Sequence, residues 1–158
     1  MSKKKILFVC LGNICRSPSA EAVMKAKLEA HGLSEKYFVD SAGITGYHEG
    51  DPADSRMQQH AYRRNYTLTS ISRPITTPKD FLEFDYIIGM DQQNMNDLNA
   101  LAPNKYDHSK LSKMTDYCNN FQHDSVPDPY YGGAAGFELV LDLLEDACEG
   151  LIKKLESE

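Results

Sequence analysis

The chain has 158 residues, which is the length of one domain and enough to bury a substantial core without disulfides or a structural metal, so we expect residues 1–158 to form a single domain. It is 41% hydrophobic and 25% charged, as is ordinary for a globular protein, and no stretch has the roughly eighteen apolar residues of a membrane span. The net charge is −6 with dispersed acidic residues, which argues against a nucleic-acid partner. The lysines at positions 3 to 5 precede too few apolar residues for a signal peptide, so we expect a cytoplasmic protein.

The first predicted elements are a strand over residues 6–10 and a helix over residues 18–31. The strand is a short apolar run that ends at Cys10. The helix is predicted to have Ser17 as its N-cap, Pro18 in its first position and Gly32 as its stop. The apolar positions of this helix are Ala22, Val23, Ala26 and Ala30.

The five residues between Cys10 and Arg16 form a short loop at the end of the first strand. Gly12 and Asn13 accept positive φ, so the loop can turn successive backbone N–H groups around one tetrahedral anion, such as phosphate. The N-terminus of the next helix and the neighbouring Arg16 both favour a thiolate at Cys10. Arg16 also offers a planar fork for two phosphate oxygens.

The spacing therefore predicts phosphoryl transfer to the sulfur of Cys10. The competing interpretation is a buried cysteine at a strand end beside a surface arginine, and the strand before the loop and the helix after it argue against that. We expect the phosphate to be bound by Leu11, Gly12, Asn13, Ile14, Cys15, Arg16 and Ser17.

The next segment predicts a second strand and a second helix. The strand covers residues 38–43 and is followed by a turn-rich loop over residues 43–52. The helix covers residues 54–64, with Asp54 as its N-cap.

The second half of the chain predicts a strand over residues 84–90, a helix over residues 91–101 and a weaker strand near Tyr106. Residues 112–132 hold no long periodic pattern, and a loop of that length inside a compact domain is usually functional. The chain ends in an amphipathic helix that begins at about Gly136. Its apolar face comprises Val140, Leu141, Leu144, Cys148, Leu151 and Leu155.

Strands that alternate with helices predict an α/β fold with a parallel sheet of about four strands and helices on both faces. Ligands of such folds bind at the carboxyl ends of the strands, which is where the Cys10 loop is expected.

The four cysteines could in principle form two disulfides, or a zinc site in which Cys10 and Cys15 join Cys118 and His123. A zinc site would use the nucleophile as a ligand and place a cation beside Arg16. We therefore expect no metal site and assign Cys148 to the core.

Two separate motifs carry a resemblance to a known family. The first is VCLGNICRSP, from Val9 to Pro18, and the second is DPYY, from Asp128 to Tyr131. Together with segments between them, among them Ser41-Ala42-Gly43, Tyr47-His48 and Asp80-Phe81, these motifs make the chain similar to the low-molecular-weight protein tyrosine phosphatases over nearly its whole length.

The resemblance implies a role for each matched residue. It assigns Cys10 as the nucleophile, Arg16 as the phosphate clamp and Asp128 as the general acid. It also implies a hydroxyl contact from Ser17 to the Cys10 sulfur, and a left-handed Asn13 whose amide joins a network that includes Ser41. Tyr47, Tyr130 and Tyr131 resemble the aromatic walls of a phosphotyrosine pocket. Where many members carry a histidine this chain has Ser70, which predicts a weaker loop network.

The substrates implied are phosphotyrosine-containing proteins and small aryl phosphates, with inorganic phosphate as a product and neither a cofactor nor a metal. Cys15 lies inside the loop, so an oxidised Cys10 could be trapped as a disulfide with Cys15. The alternative is that Cys15 only packs beneath the loop.

Two other functions are weighed against this one. An arsenate reductase on the same fold would need two further, closely spaced cysteines, and Cys118 and Cys148 are too far apart in sequence. A non-catalytic phosphotyrosine-binding or redox-sensing module would not need both motifs complete.

Overall fold

A computed structural model describes residues 3–130 and 133–158. The strands are β1 (Lys4–Cys10), β2 (Tyr37–Gly43), β3 (Tyr86–Gly89) and β4 (Leu111–Lys113). They form one four-stranded parallel sheet in the order β2-β1-β3-β4, which confirms the predicted fold class.

The helices are α1 (Arg16–Ala30), α2 (Ser55–Tyr62), α3 (Lys79–Glu83), α4 (Gln92–Leu101), α5 (Lys105–His108) and α6 (Ala134–Glu156). A short 3₁₀ turn, Met114–Tyr117, follows β4. Within the described ranges, no helix combines the length and the apolar character needed to cross a bilayer.

Strand β1 is buried on both faces because helices cover the sheet on both sides. Ile6 and Phe8 belong to the cluster formed with α1 and α6, whereas Leu7 and Val9 pack against α3 and α4. Alternate side chains of a strand point to opposite faces. The sequence of a central parallel strand is therefore an uninterrupted apolar run. The carboxyl end of β1 is Cys10, which directly precedes the loop.

The start of helix α1 differs from the prediction. The helix begins at Arg16, its N-cap is Cys15, and no side chain caps it. The hydroxyl of Ser17 makes contacts inside the loop instead, so the predicted N-cap role of Ser17 is wrong. The predicted apolar face is also partly wrong, because Ala30 is exposed while Met24 and Leu28 enter the core.

The fourth strand does not lie near Tyr106, which is part of helix α5. The side chain of Asn104 caps that helix by accepting the backbone N–H of Asp107. Strand β4 lies further on, inside the segment predicted to be a loop. With three residues it carries no period, and only its ladder with β3 defines it.

Most other local predictions are confirmed. Asp54 caps α2 through the N–H groups of Arg56 and Met57, as predicted. Asp91, predicted to be the first residue of the next helix, is instead the N-cap of α4 and accepts the N–H of Asn94. Gly32 ends α1 with φ of +71°. The predicted apolar face of the last helix is buried in full.

Candidate active site

In the loop from Leu11 to Cys15, backbone carbonyl groups accept hydrogen bonds from the protein, whereas the backbone N–H groups donate to none of the described residues. Among the described residues, no acceptor takes a hydrogen bond from the backbone N–H groups of residues 11–17. In contrast, the carbonyl oxygens of Leu11, Gly12, Ile14 and Cys15 accept hydrogen bonds from Thr45, Ser72, Asp54 and Ser19, respectively. A run of N–H groups without protein acceptors after a strand, and at the start of α1, is an anion-binding arrangement.

Only one of the two expected residues adopts the left-handed conformation. Asn13 has φ of +57°, whereas Gly12 does not have positive φ. A Cβ at Gly12 would lie 3.0 Å from Cδ2 of His48, so a larger residue there would crowd the His48 ring. The structure therefore gives a packing reason, and no backbone-strain reason, for glycine at this position.

A buried chain of hydrogen bonds leads from the Cys10 sulfur into the protein. Ser17 Oγ lies 3.0 Å from Cys10 Sγ, and Asn13 Nδ2 donates to Ser17 Oγ at 2.8 Å and to Ser41 Oγ at 3.0 Å. Ser41 in turn donates to Glu21 Oε1 at 2.7 Å. Because the amide of Asn13 can only donate to Ser17 Oγ, the hydroxyl hydrogen of Ser17 is left for one of two acceptors, Cys10 Sγ at 3.0 Å or the Ala42 carbonyl at 3.4 Å. A thiolate at Cys10 is the closer and the charged acceptor of the two.

Ser72, and not Ser70, joins this network. Its hydroxyl donates to the Gly12 carbonyl at 2.9 Å, and the backbone N–H of Arg73 donates to Asn13 Oδ1 at 3.0 Å. The left-handed Asn13 is therefore held through both of its side-chain polar atoms. The prediction of a weaker loop network is based on Ser70 alone. Two later residues of the same segment, Ser72 and Arg73, hydrogen-bond to the loop.

Arg16 is buried beneath the loop, with 3% of its side chain exposed. Its Nη1 donates to Asp91 Oδ2 at 2.6 Å and to the Val126 carbonyl at 3.1 Å. Burial opposes the charge of the guanidinium, but Cys10, Asp91 and Asp128 outweigh it and raise the pKa of Arg16. Arg16 thus stays a fixed cation.

Asp128 lies beside Arg16 although the two are far apart in sequence. Its Oδ2 is 3.7 Å from Arg16 Nη2, and its Oδ1 accepts the backbone N–H of Tyr130 at 3.0 Å. The carboxyl group is 37% exposed, so one side faces solvent. The structure therefore brings the three residues expected to be catalytic, Cys10, Arg16 and Asp128, to one place.

These residues line an open pocket of about 410 Å³. Its floor is the loop, and its walls are Thr45, Tyr47, His48, Asp128 and Tyr130. The side chains of Asn13 and Ser17 do not line it, because they lie buried beneath the loop.

The aromatic walls are only partly those expected. Tyr47 is 85% exposed and contacts the His48 ring edge-on at 5.1 Å, while the Tyr130 ring lies 6.4 Å from His48. Tyr131 lies outside the described residues. His48, whose ring occupies the space that a side chain at position 12 would need, therefore lies between the loop and both tyrosines.

All four cysteines are free thiols. Cys15 is buried, and its desolvation raises the pKa of its thiol well above the usual range. Cys148 is fully buried in the core, as predicted. No group of three or more His, Cys, Asp or Glu side chains that could hold a metal ion is found within residues 3–130 and 133–158.

Four residues of the site, Glu21, His48, Asp91 and Ser72, had no role assigned from the sequence. The sequence contained an indication for Asp91, because this residue directly follows a strand predicted to lie in the parallel sheet. Ligands of such sheets bind at the carboxyl ends of the strands. The sequence contained no such indication for Glu21, since a glutamate in the second turn of a helix is normally solvated.

Comparisons with known proteins point to one family. The sequence profile of low molecular weight phosphotyrosine protein phosphatases matches residues 5–158. The chain is 39% identical to the Bacillus subtilis low molecular weight protein-tyrosine-phosphatase YfkJ over 153 residues, which are 97% of this chain and 96% of that protein. It is 40% identical to the human low molecular weight phosphotyrosine protein phosphatase over 152 residues, or 96% and 95% of the two chains. A crystal structure of a protein tyrosine phosphatase from Entamoeba histolytica, with Hepes in its active site, has a TM-score of 0.96 and 54% identity and covers 98% of each chain.

Proposed function

The chain belongs to the low molecular weight phosphotyrosine protein phosphatase family and is a protein tyrosine phosphatase of that class, and from this premise we propose which residues carry the reaction. The phosphoryl group binds over the loop, against Cys10 and Arg16. The single observation that most supports this assignment is the run of N–H groups after Cys10 that no protein acceptor uses among the described residues. Such N–H groups and a buried arginine suit the two charges of a phosphate monoester.

In the first step, the Cys10 thiolate attacks phosphorus. A sulfur–phosphorus bond forms, the phosphorus–oxygen bond to the tyrosine ring breaks, and the electron pair leaves on the phenolic oxygen. The carboxyl group of Asp128 donates its proton to that oxygen. The hydroxyl of Ser17 stabilises the sulfur when it is charged.

In the second step, water attacks the cysteinyl-phosphate. The Asp128 carboxylate accepts a proton from the water, an oxygen–phosphorus bond forms, and the sulfur–phosphorus bond breaks. Inorganic phosphate leaves, and Cys10 is again a thiolate. Neither step requires a metal or a cofactor, because N–H groups and Arg16 balance the charge of the phosphoryl group.

Hydrolysis of p-nitrophenyl phosphate tests the residue assignments. We expect Cys10→Ser to abolish turnover and Asp128→Ala to lower kcat by about 10²- to 10⁴-fold, the usual contribution of a general acid. The matched controls are Cys118→Ser and the exposed Asp124→Ala, which should both leave turnover unchanged. Retained turnover in Cys10→Ser would refute the nucleophile, and chelator-sensitive activity would refute the metal-independent scheme.

The proposed substrates are phosphotyrosine side chains of proteins and small aryl phosphates. The support for this is the set of rings at the mouth of the pocket, Tyr47, His48 and Tyr130, which can pack against an aryl group. A phosphotyrosine peptide should therefore be hydrolysed with a much higher kcat/KM than the phosphoserine peptide of the same sequence. Equal values for the two peptides would contradict the proposed role of the rings.

We also propose a cytoplasmic location and reversible inhibition by peroxide. Four free thiols and a thiolate nucleophile are typical of a reducing compartment. Peroxide oxidises Cys10 to a sulfenic acid, and the Cys15 thiol then displaces water to form a disulfide. Mass spectrometry after peroxide treatment should find the linked peptide. Sulfonic acid on Cys10 with Cys15 unmodified would refute this proposal.

A further inference from the structure

We infer that Arg56 is a positioning residue that holds the Asp128 loop in the geometry needed for proton transfer to the leaving group. This inference rests on the proposed function, in which Asp128 is the general acid. Arg56 is the second residue of α2, does not line the pocket, and is 46% exposed. Its contacts nevertheless connect the segment after Asp128, the loop between Cys10 and Arg16, and the hydrophobic core.

The first contact is with the segment that follows Asp128. Nη2 of Arg56 donates to the backbone carbonyl of Tyr130 at 3.0 Å. The same guanidinium lies over the ring of Tyr130, with Cζ at 5.4 Å from the ring centroid. A hydrogen bond and a stacking contact thus fix one residue from two directions.

The second contact connects Arg56 to the phosphate loop through Asp54. Nε and Nη2 of Arg56 donate to the two carboxylate oxygens of Asp54 at 3.2 and 3.0 Å. The backbone N–H of Asp54 donates to the carbonyl of Ile14, in the middle of the loop, at 2.8 Å. The guanidinium is therefore oriented by a residue that is itself bound to the loop.

The third contact is with the start of α6. Arg56 Cζ lies 5.0 Å from the centroid of the Phe137 ring, which is buried and stacked on His60 of α2. The guanidinium thus touches a buried ring of the core as well as the segment that follows Asp128. It is anchored in the core although its edge faces solvent.

These contacts place Asp128 between two anchors. On its N-terminal side, the N–H of Val126 donates to the Met90 carbonyl at 2.8 Å, and the Val126 carbonyl accepts from Arg16 at 3.1 Å. On its C-terminal side, Arg56 binds the Tyr130 carbonyl, and the Tyr130 N–H binds Asp128 Oδ1. Arg56 therefore sets the distance between the carboxyl group and a substrate oxygen, and a displacement of about 1 Å is enough to cost a large factor in rate.

A lysine cannot replace this function. Two nitrogens of the planar guanidinium, Nε and Nη2, donate to Asp54, and Nη2 also donates to the Tyr130 carbonyl. The face of the guanidinium lies over the rings of Tyr130 and Phe137. The ammonium group of lysine is a point charge without a plane. Arg56→Lys should therefore resemble Arg56→Ala.

The test is the dependence of kcat/KM on the leaving group, because kcat/KM reports the step in which the aryl oxygen leaves. A correctly placed acid matters most for a poor leaving group. For Arg56→Ala and Arg56→Lys we expect kcat/KM to fall by about ten- to a hundredfold for phenyl phosphate but less than about threefold for 2,4-dinitrophenyl phosphate, whose phenolate needs no proton. The control is Arg63→Ala, an exposed arginine just past the end of the same helix, which should match the wild type for both substrates.

Two further measurements distinguish a positioning role of Arg56 from a merely structural one. Inhibition by vanadate should be unchanged in the Arg56 variants if the phosphate loop is intact. Arg56→Ala should add no further loss for phenyl phosphate in an Asp128→Ala background, because both changes act on one proton transfer. An equal loss for both substrates, or a fully additive double variant, would overturn the role of Arg56.

A different result would contradict the proposed function itself. If Asp128→Ala itself left the leaving-group dependence unchanged, the general-acid assignment would be wrong. If Asp128→Ala made the dependence steeper and both Arg56 variants did not, only the inference about Arg56 would be wrong.

Discussion

Replacement of Asp91 by asparagine isolates the charge that is paired with the buried Arg16. Asp91 uses its two oxygens separately, since Oδ2 accepts from Arg16 at 2.6 Å and Oδ1 caps α4 by accepting the Asn94 N–H at 2.7 Å. Asparagine is an equally good N-cap, so its single oxygen can keep the cap. What the substitution removes is the charge-assisted contact to Arg16.

The expected loss of stability depends on how deeply Arg16 and Asp91 are buried. Truncation of a fully buried ion pair costs about 3–5 kcal/mol, and a hydrogen bond to a charged group contributes about 1.5–3 kcal/mol. Arg16 is 3% exposed, but Asp91 is 26% exposed and the Val126 carbonyl keeps one contact with Arg16. We therefore expect the free energy of unfolding to fall by about 2 kcal/mol, which in a domain of this size lowers Tm by roughly 4–8 °C.

Urea denaturation followed by circular dichroism measures this difference. The control is Asp97→Asn on the same helix. Among the described residues, the Asp97 carboxylate accepts only from Gln93, at 3.2 Å, so a change below about 0.5 kcal/mol is expected. Equal stability of Asp91→Asn and the wild type would show that the Arg16 pair contributes nothing net, and the reasoning from burial would be refuted.

Three further outcomes are expected. Burial acts to raise the pKa of Asp146, but three backbone N–H groups lower it below its usual value, so the stabilisation is present above about pH 4 and is lost as pH falls through the lowered pKa. Asp146→Asn should accordingly be about 1–3 kcal/mol less stable than the wild type at pH 7, and urea denaturation should show this difference shrinking as the pH falls below about 4. Gly150→Ala would normally favour a helix, but its Cβ would lie 1.8 Å from the Tyr117 carbonyl oxygen, and we expect a thermal melt to show a loss of at least about 2 kcal/mol. Ser17→Ala removes a donor to the Cys10 sulfur, and kcat/KM for p-nitrophenyl phosphate should fall by about ten- to a hundredfold.

The local features of the site could be predicted because short-range chemistry decides them. A loop of five residues after a buried strand, with a helix directly after it, places N–H groups near the strand end whatever packs around it. The cap at Asp54 follows from the preference of a carboxylate for helix N-termini. The role of Ser17 as a cap was wrong because an equally local alternative, the contact with Cys10, competes for the same hydroxyl.

Other features could not be predicted because they depend on contacts between distant segments. Strand β4 has three residues and exists only through its ladder with β3. The contacts of Glu21 and Arg56 arise because α1 and α2 lie against the loop, and in the sequence both residues resemble ordinary surface charges.

The sequence by itself determined the family, the first strand and helix, and the short loop between Cys10 and Arg16, since each of these depends on motifs and patterns within short contiguous segments. Only the tertiary structure decided that Asp91, which is 75 residues from Arg16, and Asp128 converge on that arginine. The physical reason is that the order of the parallel strands, β2-β1-β3-β4, is set by packing on both faces of the sheet, and this order aligns the carboxyl ends of β1 and β3 at one edge.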